Sequence, residues 1–142
     1  RATRWAIASL CVEGGRACNV EVDVLICSAV LSACKVDGQW SRALTMRERM
    51  SMCGIEPDGV SCNAAVSACE KAGRWDSALA VVELTRATSL ELDVITYNAA
   101  ISACDKGLQW QGALAFVRDA QSKRVDPDLI TYSAAISACE KQ

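Results

Sequence analysis

The chain has 142 residues, 51% of them hydrophobic, with nine cysteines, two prolines, no histidine and a net charge of −2. The apolar content suffices for one ordinary core, no apolar run approaches the about eighteen residues of a membrane span, and the basic excess usual in phosphate-binding proteins is missing. An odd cysteine count with no apolar signal segment ahead of it points to a reducing compartment rather than a disulfide scaffold.

Proline scarcity and the dominance of Ala, Leu, Val and Ser predict an all-α chain. Along it, Trp5, Trp40, Trp75 and Trp110 recur every 35 residues. The same frame aligns Ala8, Ala43, Ala78 and Ala113, then Cys34, Cys69, Cys104 and Cys139, and finally Asp23, Asp58, Asp93 and Asp128. This is a tandem array. It opens with the second half of a unit (1–23), continues through three full units (24–58, 59–93, 94–128), and ends on a first half (129–142). Arg1 in mid-pattern reads as the start of a piece of something longer.

Each unit predicts a helical hairpin. In 94–106, VITYNAAISACDK, small and apolar residues at Ile95, Ala99, Ile101, Ala103 and Cys104 can fold onto one packed face. Asp93 is placed to cap this helix and Gly107 to break it, with Gly38 and Gly73 marking the same turn in the other units. A second helix over 110–121 would turn Ala113, Leu114 and Phe116 or Val117 inward. A lone short hairpin cannot hide both apolar faces. Stacking hairpins into a superhelical solenoid with a concave groove does so.

Among the 35-residue units, ITYNAAISACDK (95–106), VSCNAAVSACEK (60–71) and ITYSAAISACEK (130–141), with loops ending EPD (56–58) and DPD (126–128), resemble the pentatricopeptide repeat family. Tetratricopeptide and ankyrin units are shorter and carry other signatures, absent here. The resemblance spans the whole chain. It implies a right-handed superhelical solenoid of antiparallel hairpins that binds single-stranded RNA, one base per unit. The fifth and last residues of a unit would choose the base. These are Ser28 with Asp58, Asn63 with Asp93, and Asn98 with Asp128; Ser133 has no partner within the chain. In the family, Asn with Asp favours uracil and Ser with Asp favours guanine, so the implied site is G-U-U followed by a purine. An Asn amide offers a donor and an acceptor to uracil's pairing edge, and a neighbouring carboxylate can orient it.

The resemblance also implies that Leu25, Val60, Ile95 and Ile130, second in their units, sandwich the bases, and that Lys71, Lys106 and Lys141 contact phosphates. Plainer readings stand beside these. The three aspartates suit helix N-caps, and early apolar residues are commonly core. The tryptophans open the second helices and should pack on the neighbouring hairpin rather than on bases. Tyr97 and Tyr132 alternate with Cys27 and Cys62, as interior positions do. The cysteine column, on helices about 8–10 Å apart, is too far apart to bridge and should be buried thiols.

Several positions depart from the family pattern: Val36 for lysine, Leu92 for the loop proline, Ile26 and Ser61 for threonine, Cys27 and Cys62 for tyrosine. Glu70, Asp105 and Glu140 directly precede the three lysines. Three lysine contacts at roughly −0.7 each give a salt slope of about −2, so binding by this chain alone should be weak. Without histidine there is no Ser-His triad, Cys-His pair or deaminase motif. No enzymatic role, metal, cofactor, small-molecule substrate or membrane partner is expected. Near-neutral charge suits a rival reading, a helical scaffold that holds proteins or peptides. The family resemblance implies a plastid or mitochondrial RNA-processing factor.

Overall fold

The computed structural model describes residues 20–141, with side chains from residue 25 onward. Trp5, Ala8 and the rest of 1–19 lie outside the described residues, as does the side chain of Asp23. The described residues form seven helices and no strand: α1 (Val20–Asp37), α2 (Trp40–Met52), α3 (Gly59–Lys71), α4 (Trp75–Ala87), α5 (Val94–Lys106), α6 (Trp110–Ser122) and α7 (Leu129–Glu140). None of them is long and apolar enough to cross a membrane.

The first helices α1, α3, α5 and α7 pack successively against one another. Each of the second helices α2, α4 and α6 packs on its own first helix and on the next. The result is a helical-hairpin solenoid. Small residues make the stacking of first helices possible: Ala65, Ala68, Cys69, Ala100, Ala103, Cys104 and Ala138 are almost wholly buried. Two helices that meet across alanine and thiol side chains approach closely without voids. The buried faces of the second helices carry Ala43 and Met46, Ala78 and Val81, and Ala113 with both Phe116 and Val117.

Asp58, Asp93 and Asp128 cap α3, α5 and α7, each Oδ1 accepting the backbone N–H of Ser61, Thr96 or Thr131 at 2.8, 2.8 and 2.9 Å. The capping reading of these aspartates is therefore realised. The unit that opens at residue 24 behaves differently. α1 is already helical at Val20, so the backbone at position 23 lies inside a helix rather than ahead of one.

The turn within each hairpin also differs from expectation. Gly38 and Gly73 adopt φ of 64° and 67°, but their counterpart is Leu108, at 56°, not Gly107. The N–H groups of Gln39, Arg74 and Gln109 then reach back to the carbonyls of Cys34, Cys69 and Cys104, closing a Schellman turn in every unit. Gly107 is needed for another reason. A Cβ there would lie 2.1 Å from Cδ1 of Trp75, so the next unit approaches the indole as closely as only glycine allows.

No disulfide forms among the described cysteines. Cys34, Cys69 and Cys104 are buried, and burial pushes each thiol up to about 11, which leaves it protonated and unreactive at neutral pH. Cys139 departs from the column: it is exposed, because no second helix follows α7 within the chain to cover it.

Candidate nucleic-acid interface

The functional stripe follows from helix geometry. Positions two, five, nine and twelve to thirteen of a unit are spaced by three or four residues and so share one face of a first helix. In α3 that stripe is Val60, Asn63, Ser67, Glu70 and Lys71; in α5 it is Ile95, Asn98, Ser102, Asp105 and Lys106. Stacked first helices lay these stripes side by side.

Leu25, Val60, Ile95 and Ile130 stand on it 71%, 64%, 58% and 65% exposed. They are not core residues. The side chains beside them do the packing: Ser61, Thr96 and Thr131 are buried while each hydroxyl donates to the capping aspartate. Each unit thus holds an aliphatic side chain in water, close to polar groups able to hydrogen-bond.

The clearest juxtaposition joins Asn98 to Asp128. Asn98 Nδ2 donates to Asp128 Oδ2 at 3.1 Å across thirty residues, while Oδ1 of the same carboxylate caps α7. One oxygen holds the helix and the other orients the amide. Thr131 Oγ1 also contacts Asn98 Oδ1. The backbone N–H of Thr131, then its hydroxyl, hold the Asp128 carboxyl below its ordinary value, with Asn98 adding to the effect. It is an anion at neutral pH.

Asn63 does not make the matching contact with Asp93. It is largely buried, and its Oδ1 accepts from Ser67 Oγ at 3.1 Å and from Lys35 Nζ at 3.4 Å. Lys35 occupies the place that Glu70, Asp105 and Glu140 take in the other units. Ser28 is half-buried and Ser133 exposed; neither is hydrogen-bonded to an aspartate.

The three lysines are not equivalent. Lys106 Nζ pairs with Glu70 Oε1 of the preceding unit at 2.5 Å, and Lys141 Nζ with Asp105 Oδ1 at 2.8 Å. Ser102 donates to the same Glu70 oxygen at 3.0 Å. Two of the three expected phosphate contacts are therefore neutralised by the acid one unit back. Lys71 finds no acid there, because Lys35 and Val36 fill those places; its Nζ donates to the Val36 carbonyl at 3.4 Å.

On the opposite side, long side chains join successive second helices. Tyr97, 1% exposed, donates its hydroxyl to Asp119 Oδ2 at 2.5 Å, and Arg86 reaches the same oxygen at 2.6 Å. Arg86 also lies 5.7 Å from the Phe116 ring centroid. Burial alone would raise the Asp119 carboxyl, but the Tyr97 hydroxyl and the Arg86 cation outweigh it and hold the group below its ordinary value. In the preceding unit Cys62 and Arg47 meet instead at Thr85 Oγ1, at 3.1 and 3.2 Å. Tyr97 and Cys62 thus fill equivalent interior places, as their alternation predicts. Tyr132 is exposed and accepts only from Gln121. Trp40 and Trp75 pack on the core and towards the next hairpin, Trp40 beneath the Arg74 guanidinium at 4.5 Å. Sequence reasoning missed Arg47, which stands in a column otherwise filled by valine, Arg86, and Asp119, whose column repeats no residue.

Among the described residues no group of three or more Cys, Asp or Glu side chains is placed to hold a metal ion. The model for the pentatricopeptide repeat domain matches residues 13–71, 45–107 and 81–142. Similar solved structures include the pentatricopeptide repeat protein PPR10 in complex with an 18-nt psaJ RNA element, at 28% identity and a TM-score of 0.69 over 79% of this chain. A cysteine-to-serine triple variant of that protein with the same RNA element matches equally well. The chain spans 16% of the length of each of these proteins. No curated protein matches it significantly in sequence.

Proposed function

Because the chain belongs to the pentatricopeptide repeat family, we propose that it binds single-stranded RNA along the stripe of its first helices, reading one base with each of the units 24–58, 59–93 and 94–128. The Asn98 to Asp128 hydrogen bond carries this reading. A capped helix needs only one carboxylate oxygen. Spending the second on an amide thirty residues away fixes a donor and acceptor pair at the surface, as recognition of a base edge requires. The RNA complex of PPR10, a protein of similar fold, supports the same partner.

The readers are Ser28 with Asp58, Asn63 with Asp93 and Asn98 with Asp128, continued by Ser133; as residue pairs alone they spell G-U-U and then a purine. Leu25, Val60, Ile95 and Ile130 separate the bases, each an exposed aliphatic on which a base face can lie. Lys71 supplies the most available phosphate contact; Lys106 and Lys141 reach a phosphate only by leaving their ion pairs. The role is binding, without a reaction of its own, within a larger plastid or mitochondrial RNA-processing factor.

Titration of single-stranded RNAs varied at the third base, at low ionic strength, tests the reading. The wild type prefers uracil there, and Asn98→Ser moves the preference towards guanine by about tenfold, the effect of exchanging one hydrogen-bonded reader. Unchanged selectivity removes the base-reading assignment. Peptide binding with no RNA binding favours a protein-holding scaffold, which the paired lysines and the net charge of −2 would suit.

A further inference from the structure

The two Asn/Asp readers share their residues but not their hydrogen-bonding state. Both lone pairs of Asn63 Oδ1 are taken, by Ser67 at 3.1 Å and Lys35 at 3.4 Å. Its Nδ2 has no partner in the protein and is not among the buried unsatisfied atoms, so it reaches the surface as a donor. Lys35 Nζ brings further donors to the same spot. Asp93 keeps one oxygen for the cap of α5, and its Oδ2 is unpartnered. At Asn98, by contrast, the bond to Asp128 uses one Nδ2 hydrogen and leaves the amide both a donor and acceptor capacity.

Resting on the base-reading assignment, we infer that Lys35 is a specificity-determining residue that turns the Asn63/Asp93 reader from uracil to cytosine. Cytosine presents acceptors at N3 and O2 and a donor at N4. Those complement a donor amide whose oxygen is held by an ammonium, together with the unpartnered carboxylate oxygen of Asp93 in the same unit. Uracil in the same pose sets its N3–H against the Asn63 amide hydrogens and its O4 against the carboxylate. Two mismatched contacts oppose it.

The cause lies one unit back. In the next unit Glu70 accepts from Ser102 and from Lys106, which leaves Asn98 untouched by either. Lys35 in that place cannot accept, so Ser67 turns to Asn63, and the lysine follows it. The site of this chain therefore reads G-C-U where the residue pairs alone spell G-U-U.

The test measures binding of the 142-residue chain, at low ionic strength, to RNAs that differ only at the second or only at the third base. The wild type is expected to favour cytosine over uracil by about tenfold at the second base and uracil at the third. Lys35→Glu, which restores the acceptor for Ser67 and Lys71, reverses the second preference and leaves the third alone. Lys35→Met, which keeps the apolar stem, abolishes the cytosine preference and serves if the glutamate variant loses helical circular dichroism. Uracil preferred at both bases by the wild type, or a cytosine preference indifferent to both substitutions, overturns the role of Lys35 and leaves base reading intact. No preference at the third base, or no RNA binding, overturns base reading and this inference with it.

Discussion

Two successive junctions, α1–α2 against α3–α4 and α3–α4 against α5–α6, are built on one backbone frame yet held by different chemistry. At the first, Trp40 lies under Arg74, with Ala72 at the end of the neighbouring helix, and Arg47 donates to the Thr85 hydroxyl. At the second, Trp75 presses on Gly107, and Asp119 collects Tyr97 and Arg86 into one charged network. The groove side differs in the same sense: Lys35 on Asn63 at the first, Lys106 on Glu70 at the second. A repeat frame settles where neighbouring units touch; individual residues settle how firmly. The second junction is the interlocked one.

The largest effect should come from removing the close approach that distinguishes it. Gly107→Ala puts a methyl 2.1 to 2.9 Å from three atoms of Trp75, so backbone or indole must move. A loss of about 2–3 kcal/mol in urea unfolding is expected. Ala72→Gly, at the equivalent place in the first junction, should stay within about 1 kcal/mol. Equal losses at the two sites would erase the difference.

Next comes the charged network. Asp119→Ala leaves the buried Tyr97 phenol without its acceptor and Arg86 with Glu83 alone, and should cost about 2 kcal/mol. Because the folded carboxyl lies below its ordinary value, its stabilisation is present above the unfolded carboxylate range, near about 4, and is lost as pH falls through the folded value. Acid unfolding of the wild type should therefore be steeper than that of Asp119→Ala. Parallel acid profiles would show that the network adds nothing beyond packing.

The smallest effect is a gain. Leu108 holds φ at 56°, where Gly38 and Gly73 stand in the other units, so Leu108→Gly should raise stability by about 0.5–1 kcal/mol. Thermal unfolding that moves down instead would mean that the half-exposed leucine contributes more by contact than its backbone costs.

The hairpins were legible because the 35-residue spacing of tryptophan and aspartate marks helix starts directly: α2, α4 and α6 begin on Trp40, Trp75 and Trp110. The burial of Cys34, Cys69 and Cys104, and of Ala43, Ala78 and Ala113, was legible for the same reason. Leu108 was not, since a leucine gives no sign of a left-handed backbone and the adjacent Gly107 gives a false one. Nor was the pairing of the lysines. Glu70 and Asp105 were visible as neighbours of Lys71 and Lys106, but each acid serves the lysine of the following unit, a contact 36 residues away that only stacking creates. Asp119 escaped because its column holds Arg49 and Leu84, so no repetition announces it. Periodicity reveals what the units share, and the distinctive contacts lie in what they do not.

The paired lysines also change what binding would do to the surrounding salt. A phosphate that reaches Lys106 or Lys141 replaces a carboxylate already there. The contact is then an ion exchange: the phosphate sheds a condensed counterion while the displaced Glu70 or Asp105 gathers one. Uptake and release nearly cancel, so these two contacts can add affinity without steepening the salt dependence. The slope falls from about −2 towards the roughly −0.7 of Lys71 alone.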